Sequence, residues 1–422
     1  MKIDRGLLFT LAAAALSAAC ASAGGATGGG GSGPQVSVQL PDVMCSTGRL
    51  ANQPAADSAA RVLALVATVS DSAKPMQYAL ARQTAGRAIA AEPDNAYGYY
   101  VAGSAAYEMR DFVDADSLLR RSVALCPELA GYEVNSILAS GAAMAFDRAQ
   151  SLLQAGDTAG AVAGYETALR MDANNYPAEF YLGLVAFSRQ QTDAAVRSWR
   201  RVAAIIDELP ADTSSEVMSD RAGARANAIN ALTFTARQYL ELQQTEKALA
   251  LLTELVAELP NNADVAYTYA LSLNTLQRWR ELLPAAQRAT ELAPLSYGAL
   301  VLLYNGYAGQ SQQAATAGQN AQASELGRQA ALVRQRHDNL PVQIEGVQVD
   351  VEGGTTTVRG IAVGSGKTAP VTVEFTLHGS NGPVGTGSTT ITPPATDQQQ
   401  RFELTIPNSG QVLGVTYRVV GG

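Results

Sequence analysis

A fixed spacing of 34 residues runs through the middle of the chain and constrains its fold more than any other feature. Two pairs of prolines keep this spacing: Pro93 with Pro127, and Pro260 with Pro294. Alanines follow the same period, since Ala81 and Ala115 each lie 12 residues before such a proline. A short fixed period is the mark of repeat architectures, in which each unit buries its apolar face against its neighbours. The sequence therefore predicts a stacked, curved array between positions 55 and 338.

The clearest unit is "AYGYYVAGSAAYEMRDFVDADSLLRRSVALCP", residues 96–127. Gly103 and Ala115 are small enough to let two helices approach closely. With Tyr99 near its start and Pro127 at its end, this unit resembles the tetratricopeptide repeat, a pair of antiparallel helices followed by proline. The resemblance implies an all-α solenoid of helix pairs.

Further units of this kind occur along the chain, starting at Tyr176, Ile229 and Ala263. The period is broken twice, by an interval of 46 residues after Ala115 and one of 53 residues after Ala195. The surplus residues fall near 128–141 and near 208–226, where we expect longer helices or projecting loops. In total the sequence predicts about seven helix pairs within 41–338.

The resemblance also implies a concave groove lined by the first helix of each pair, with ligand-facing side chains at its second, fifth, ninth and twelfth positions. Seven aromatic residues fall at such positions: Tyr97, Tyr100, Tyr107, Phe146, Phe180, Phe187 and Tyr267. Aromatic side chains suit a peptide-binding groove because they bring a large apolar area and few rotatable bonds. In the alternative interpretation, the same rings only pack between adjacent repeats.

From Pro341 onward the apolar residues change from helical spacing to strict alternation. Alternating runs occur at four places: Val347 to Val351, Val371 to Leu377, Phe402 to Ile406, and Val415 to Val419. Alternation interrupted by Gly, Asn and Pro is typical of half-buried antiparallel strands. The segment 341–422 is therefore predicted to form a small β-sandwich of at least five strands. Its stretch "VRGIAVGSGKTAPVTVEFTLHGSNGPVGTGS" and the later "TYRV" resemble the FxLYD type of immunoglobulin-like domain.

The first nineteen residues have the order of a secretory signal peptide: a short charged start, an apolar run from Leu7 to Ala15, then small residues. The apolar run is too short to span a membrane. The stretch from Ser17 to Cys20 resembles a bacterial lipobox, which implies removal of 1–19 and a lipid on Cys20. In the alternative, an ordinary secreted protein is cut after Ala23.

If Cys20 carries two or more acyl chains, the chain is held at a membrane without crossing it. The glycine-rich segment 20–40 then acts as a flexible linker between lipid and folded protein. By resemblance to lipoprotein sorting, Ala21 favours the outer membrane of a bacterial envelope. The face of that membrane stays open.

Two cysteines remain after the predicted lipid attachment site. Cys45 and Cys126 can form a disulfide in an oxidising compartment. Alternatively, Cys126 is a small core residue and Cys45 is a free thiol. Neither has a neighbouring histidine, so the pair alone does not predict a zinc site.

Catalytic and nucleotide-binding motifs are weak in this sequence. The histidines number two, His337 and His378, which argues against a histidine-based triad or metal cluster. The stretch "GSGKT", 364–368, resembles a phosphate-binding loop, but its expected upstream glycine is Ile361, and a predicted strand comes after it. The formal net charge of −8 disfavours nucleic acid as a partner. We therefore predict a protein that is not an enzyme and uses no cofactor or metal.

These features together predict a lipid-anchored cell-envelope adaptor or scaffold that binds a protein or peptide partner in the groove. Two alternatives use the same features differently. The chain is then either a structural subunit of an outer-membrane assembly or a surface protein that binds glycans through its β-sandwich.

Overall fold

The structure is a computed structural model that describes residues 43, 45, 54–210, 212, 214–352 and 354–420. The predicted signal segment, the proposed lipid site Cys20 and the linker 20–40 lie outside these residues. Fourteen α-helices occur in the described part: α1 (Pro54–Ala64), α2 (Lys74–Ala91), α3 (Ala96–Glu108), α4 (Phe112–Leu125), α5 (Asn135–Gln154), α6 (Thr158–Met171), α7 (Tyr176–Ser188), α8 (Thr192–Glu208), α9 (Ser215–Glu241), α10 (Thr245–Glu258), α11 (Ala263–Thr275), α12 (Trp279–Leu292), α13 (Tyr297–Thr316) and α14 (Asn320–Asp338). None of these described helices is long and apolar enough to cross a membrane.

The turn inside each helix pair repeats one backbone geometry from α3 onward. One residue of the turn has a positive φ angle, at Arg110, Gly156, Gln190, Gln243, Gln277 and Gly318. Five residues later comes a buried side chain on the second helix, at Ala115, Ala161, Ala195, Ala248, Leu282 and Ala323. The intervals predicted from alanine spacing are therefore real repeats of helix–turn–helix units. The predicted fold class, helical tetratricopeptide-like repeats followed by a small antiparallel β domain, is confirmed.

The described residues form two compact units, one ending at Ser198 and one starting at Trp199. In the first unit, small residues sit where paired helices cross. A Cβ atom at Gly103 would overlap the Leu119 side chain, and one at Gly164 would overlap Ala149. The surplus near 128–141 forms a π-helical turn, Ala130–Val134, that runs directly into α5.

The second unit takes up its surplus residues in one long helix. Helix α9 has 27 residues, and its N-terminal part contains most of the segment near 208–226. Ser214 caps this helix, since its hydroxyl accepts a hydrogen bond from the Val217 amide at 3.4 Å. Of the two structures expected for this segment, a longer helix is the one found.

The second unit also contains the β domain, which consists of β1 (Gln343–Glu352), β2 (Thr355–Val363), β3 (Val371–Gly379), β4 (Gly382–Ile391), β5 (Gln399–Pro407) and β6 (Gly414–Val420). They form two antiparallel sheets of three strands, ordered β1-β2-β5 and β4-β3-β6. The predicted alternation is seen in β3, whose Val371, Val373, Phe375 and Leu377 are all buried. The "GSGKT" segment lies between β2 and β3, so a strand comes after it, as predicted, where a phosphate loop needs a helix.

The β domain shares a hydrophobic core with the helices that precede it. Leu295 and Leu300 belong to the same buried cluster as Phe375 and Tyr417. The Ile344 amide donates a hydrogen bond to the Leu295 carbonyl at 3.0 Å. The Asn262 side-chain amide donates to the Leu413 carbonyl, also at 3.0 Å. The β domain is thus a structural part of the second unit, where the sequence had indicated a separate domain.

Candidate partner-binding surface

The predicted groove aromatics of α3 and α5 are buried. Tyr97, Tyr100, Tyr107 and Phe146 expose 3%, 1%, 3% and 5% of their surface. The Tyr100 hydroxyl donates to the Glu133 carboxylate at 2.5 Å. Burial raises the pKa of Tyr107. These four side chains follow the alternative interpretation, packing within the fold, and do not present their rings to a partner in this structure.

A cluster of stacked rings lies around Phe146. Its ring centroid is 5.7 Å from that of Tyr165 and 5.7 Å from that of Tyr181, and the two tyrosine rings stack at 5.5 Å. Phe180 meets the edge of Tyr181 at 6.1 Å, and both Phe180 and Phe187 are half-buried on α7. Tyr165 and Tyr181 complete this core but lie outside the groove positions carried over from the resemblance, so that pattern did not find them.

The two cysteines predicted as a possible pair are joined. Cys45 and Cys126 form a disulfide, with their Cα atoms 5.1 Å apart and both residues buried. The Glu128 carboxylate lies 3.5 Å from the Cys126 sulfur. Because both sulfurs are used in the bond, this trio does not offer thiolate ligands to a metal ion. The disulfide ties the segment before α1 to the end of α4.

Polar side chains bridge the first helices of the second unit, α9, α11 and α13. We name this set the first-helix row: Arg237, Asp264, Tyr267, Asn274 and Asn305. The Arg237 guanidinium pairs with the Asp264 carboxylate and donates through Nε to the Thr268 hydroxyl at 3.3 Å. The Asn305 amide donates to the Asn274 side-chain carbonyl at 3.1 Å. Every residue of the row is partly exposed.

Tyr267 is the one predicted groove residue that lies in this row. Its ring covers Gly298 on α13, where a Cβ atom would overlap the ring. Burial raises the pKa of Tyr267; the Arg237 charge opposes this shift, and the Asp264 and Glu345 charges add to it. The hydroxyl therefore stays protonated at neutral pH and can donate a hydrogen bond.

The row has the chemistry needed to hold an extended peptide. Each side-chain amide of Asn274 and Asn305 carries two donors and an acceptor, and their mutual bond uses only part of this capacity. Main-chain amides and carbonyls of a peptide match such groups. The sequence did not predict these asparagines as binding residues, because the groove prediction rested on aromatic side chains alone.

Two further aromatic side chains lie exposed on α13. Tyr297 and Tyr304 expose 39% and 37% of their surface. The Tyr297 ring lies 4.3 Å from the imidazole of His337. Exposed tyrosines are enriched at protein interfaces, since a phenol ring adds apolar area and a hydrogen-bonding hydroxyl. These two tyrosines lie on the same helix as Asn305, and Tyr297 contacts the second helix of its pair, α14.

Comparison with known proteins yields structural likeness alone. No family model and no curated protein matches the chain. The structure is similar to MamA from Desulfovibrio magneticus RS-1 at 16% identity and a TM-score of 0.27, over 46% of this chain and 95% of that one. It is similar to YrrB, a TPR protein with an unusual peptide-binding site, at 17% identity and a TM-score of 0.27, over 45% of this chain and 85% of that one. A chain from an APC/C hetero-tetramer is similar at 14% identity and a TM-score of 0.25, over 59% of this chain and 48% of that one. Nothing about function transfers at these values.

Proposed function

We propose that the protein is a lipid-anchored cell-envelope scaffold that binds a protein or peptide partner through the first-helix row. The observation that carries the partner proposal is the row itself, a set of bridged polar side chains that remain partly exposed on three successive first helices. Most core side chains in this fold are apolar and buried, whereas these polar side chains keep donors and acceptors available at partly exposed positions. Stacked repeats of this kind create extended binding surfaces, which supports a role in binding a partner.

The disulfide supports an exported protein. Disulfides persist in the periplasm and outside the cell and are rare in the cytosol. A Cys45–Cys126 bond is therefore compatible with the secretory signal predicted for 1–19. The lipid anchor at Cys20 rests on the sequence pattern, and we propose it as the simplest link between export and the membrane.

The anchor is tested by metabolic labelling with a clickable palmitate analogue in a bacterium that processes lipoproteins. We expect the wild-type chain to be labelled and to stay with membranes, and Cys20→Ser to be unlabelled and released by buffer. Cys45→Ala with Cys126→Ala is the control, because it removes the other two cysteines, leaves no unpaired thiol and keeps Cys20. A mature chain that starts at Gly24 and carries no label would overturn the anchor.

The binding surface is tested by cross-linking in intact cells, with affinity purification of the full chain and mass spectrometry. Asn274→Ala with Asn305→Ala removes both amides of the row from partly exposed positions. Losing two hydrogen bonds should lower partner recovery by roughly tenfold or more. The matched control is Gln322→Ala with Gln335→Ala, which removes two exposed amides from α14.

The two outcomes separate the scaffold from a purely structural subunit. Loss of a partner with the row variant, but not with the control, supports binding through the row. A partner that is recovered equally from both variants contacts another face of the repeats, and the proposal for the row then fails.

A further inference from the structure

A shallow cavity lies where the turn between α11 and α12 meets the C-terminal part of α13. Its volume is about 460 Å³, in the range of small-molecule sites. The residues that shape it are Gln277, Trp279, Gly309, Gln312, Gln313 and Thr316. The first-helix row and the exposed tyrosines of α13 do not contribute to it.

Two contacts with α13 hold Trp279 at this cavity, one to its ring and one to its backbone. Gly309 has no room for a Cβ atom, because the indole ring packs directly on its backbone. The Gln310 side-chain amide donates to the Trp279 carbonyl at 2.9 Å, which joins α13 to the start of α12. The indole remains partly exposed toward the cavity. A flat apolar surface is thus held rigidly within a polar rim.

The rim consists of amides and carries no charge. Gln277, Gln312 and Gln313 are exposed, and none of the described residues that shape the cavity is ionisable. The neighbouring Arg278 guanidinium is bound to the Glu281 carboxylate, with Nε 2.8 Å from Oε1. The Thr316 hydroxyl donates to the Gln312 carbonyl at 2.9 Å, so it offers only acceptor capacity to a ligand.

A partly exposed indole surrounded by uncharged amides favours one chemical class of ligand. An anion or cation would meet no opposite charge among the residues that shape the cavity, so nothing there favours a charged ligand. A purely apolar ligand would contact the indole but use none of the hydrogen-bonding capacity of the rim amides. A neutral molecule with one apolar face and hydroxyl groups at its edge satisfies both parts, and a sugar ring has that form. Side-chain amides both donate to and accept from hydroxyl groups.

We infer that the cavity binds a neutral saccharide, with the Trp279 indole against one face of a sugar ring and the glutamine amides on its hydroxyl groups. The site lies on the helical repeats, not on the β domain to which the sequence analysis assigned a possible glycan contact. It is independent of the partner proposed for the first-helix row.

The chain itself supplies the reporter for a test. It contains two tryptophans, and Trp199 exposes only 2% of its surface. Quenching of fluorescence by acrylamide therefore reports on Trp279. We expect maltotriose or triacetylchitotriose, added to the full chain at millimolar concentrations, to protect Trp279 from the quencher with a saturable dependence on concentration.

Two paired variants decide between a site and a nonspecific effect. Gln312→Ala with Gln313→Ala removes exposed amides of the rim and should weaken the saccharide about tenfold or more. Gln322→Ala with Gln335→Ala removes exposed amides outside the cavity and should leave the affinity unchanged. Circular dichroism of both variants checks that the helices remain folded.

Three results would overturn the inference. They are no protection by either trisaccharide, equal affinity in the Gln312→Ala, Gln313→Ala variant, and equal protection by the charged trisaccharide trigalacturonate. The row variant, Asn274→Ala with Asn305→Ala, should keep saccharide protection intact. Partner loss and saccharide loss are thus separate readouts, and either proposal can fail alone.

Discussion

Helices α3 and α11 are each the first helix of their pair, yet the corresponding side chains are buried in α3 and partly exposed in α11. At the second, fifth and twelfth positions α3 has three tyrosines, all buried. At the corresponding positions α11 has Asp264, Tyr267 and Asn274, all partly exposed. Position within the repeat therefore does not determine whether a side chain meets solvent.

The difference comes from the segment that each helix pair leads into. After α4 the chain inserts a π-helical turn, Ala130–Val134, and its Glu133 accepts the hydrogen bond from Tyr100. The insertion thus contacts the middle of the α3 face at Tyr100, while Tyr107 packs against Phe112 of α4. The pair α11–α12 leads into α13 through a turn of ordinary length. Helix α13 contacts α11 through the Asn274–Asn305 bond and the Tyr267 ring on Gly298, and it leaves these positions of α11 partly exposed. At α3, the residues inserted by the break in the period thus contribute to the burial of a first-helix face.

The largest expected effect is from truncating the buried tyrosine. Tyr100→Ala removes a ring that is 1% exposed and leaves Glu133 without its donor, so we expect a loss of about 3–5 kcal/mol in unfolding free energy. Tyr267→Ala, at the same repeat position in α11, should cost about 1–2 kcal/mol, since its ring is only partly buried. Urea denaturation monitored by circular dichroism measures both.

Tyr100→Phe is the control for this pair, because it keeps the ring and removes only the hydroxyl. If the two alanine variants lose the same unfolding free energy, the first-helix faces of α3 and α11 contribute equally to the core, and the contrast between them is wrong. If Tyr100→Phe alone loses a large part of the unfolding free energy that Tyr100→Ala loses, the burial of Tyr100 depends chiefly on its hydrogen bond to Glu133.

The next effect concerns the disulfide, which occurs in the first unit only. All three cysteines of the chain lie at or before position 126, so the second unit has no covalent cross-link of this kind. The bond joins residues 81 apart in sequence, and its removal by Cys45→Ala with Cys126→Ala should cost about 2–4 kcal/mol. Reductant should destabilise the wild-type chain by the same amount and leave the double variant unchanged. Equal sensitivity of both proteins to reductant would show that the bond does not form.

The sequence predicted the repeats correctly but did not predict which side chains form their exposed surfaces. Buried Ala81 and Ala115 lie 34 residues apart, as the period predicted, because two crossing helices tolerate only small residues there. Alternation likewise located β3, since a strand between a core and solvent buries every second residue. Both signals are local and periodic.

Surfaces depend on contacts between residues distant in sequence. The Tyr100–Glu133 bond spans 33 residues, and the contact of Leu295 with the β domain spans more. No period encodes such pairs. Asn274 and Asn305 belong to the candidate surface because α11 and α13 lie side by side, and Trp279 belongs to the cavity because Gly309 admits its ring. Only the three-dimensional structure brings them together.

A smaller test uses the turn that both regions share. Its positive-φ position is glycine at Gly156 in the first unit and glutamine at Gln243 in the second, with φ angles of 84° and 60°. A side chain in this conformation costs about 1 kcal/mol relative to glycine. Gly156→Ala should therefore destabilise by about 1 kcal/mol, and Gln243→Gly should stabilise by up to about 1 kcal/mol, less the entropy that glycine adds to the unfolded chain. Thermal unfolding shows whether stability falls in Gly156→Ala and rises in Gln243→Gly. A loss of stability in both variants would show that the two turns are not equivalent.

The smallest effect tests the β domain, which packs on helices of the second unit. His378 on β3 accepts or donates a hydrogen bond with the Thr416 hydroxyl at 2.8 Å. Burial, with a smaller contribution from the Arg288 charge, lowers the pKa of His378 below its ordinary value of 6.5. The unfolded chain therefore binds a proton at a pH where the folded chain does not. This histidine's contribution to stability is fully present above pH 6.5 and falls as the pH drops below that value. We expect wild-type stability to decrease more steeply than that of His378→Gln as the pH is lowered from about 7 to about 5, where free histidine titrates.

The glutamine keeps a hydrogen-bonding group near Thr416 but does not titrate, so urea midpoints measured across this range isolate the imidazole. Parallel pH curves for the two proteins would mean that His378 titrates alike in both states, and the β domain would then shield this side of the unit less than the structure indicates.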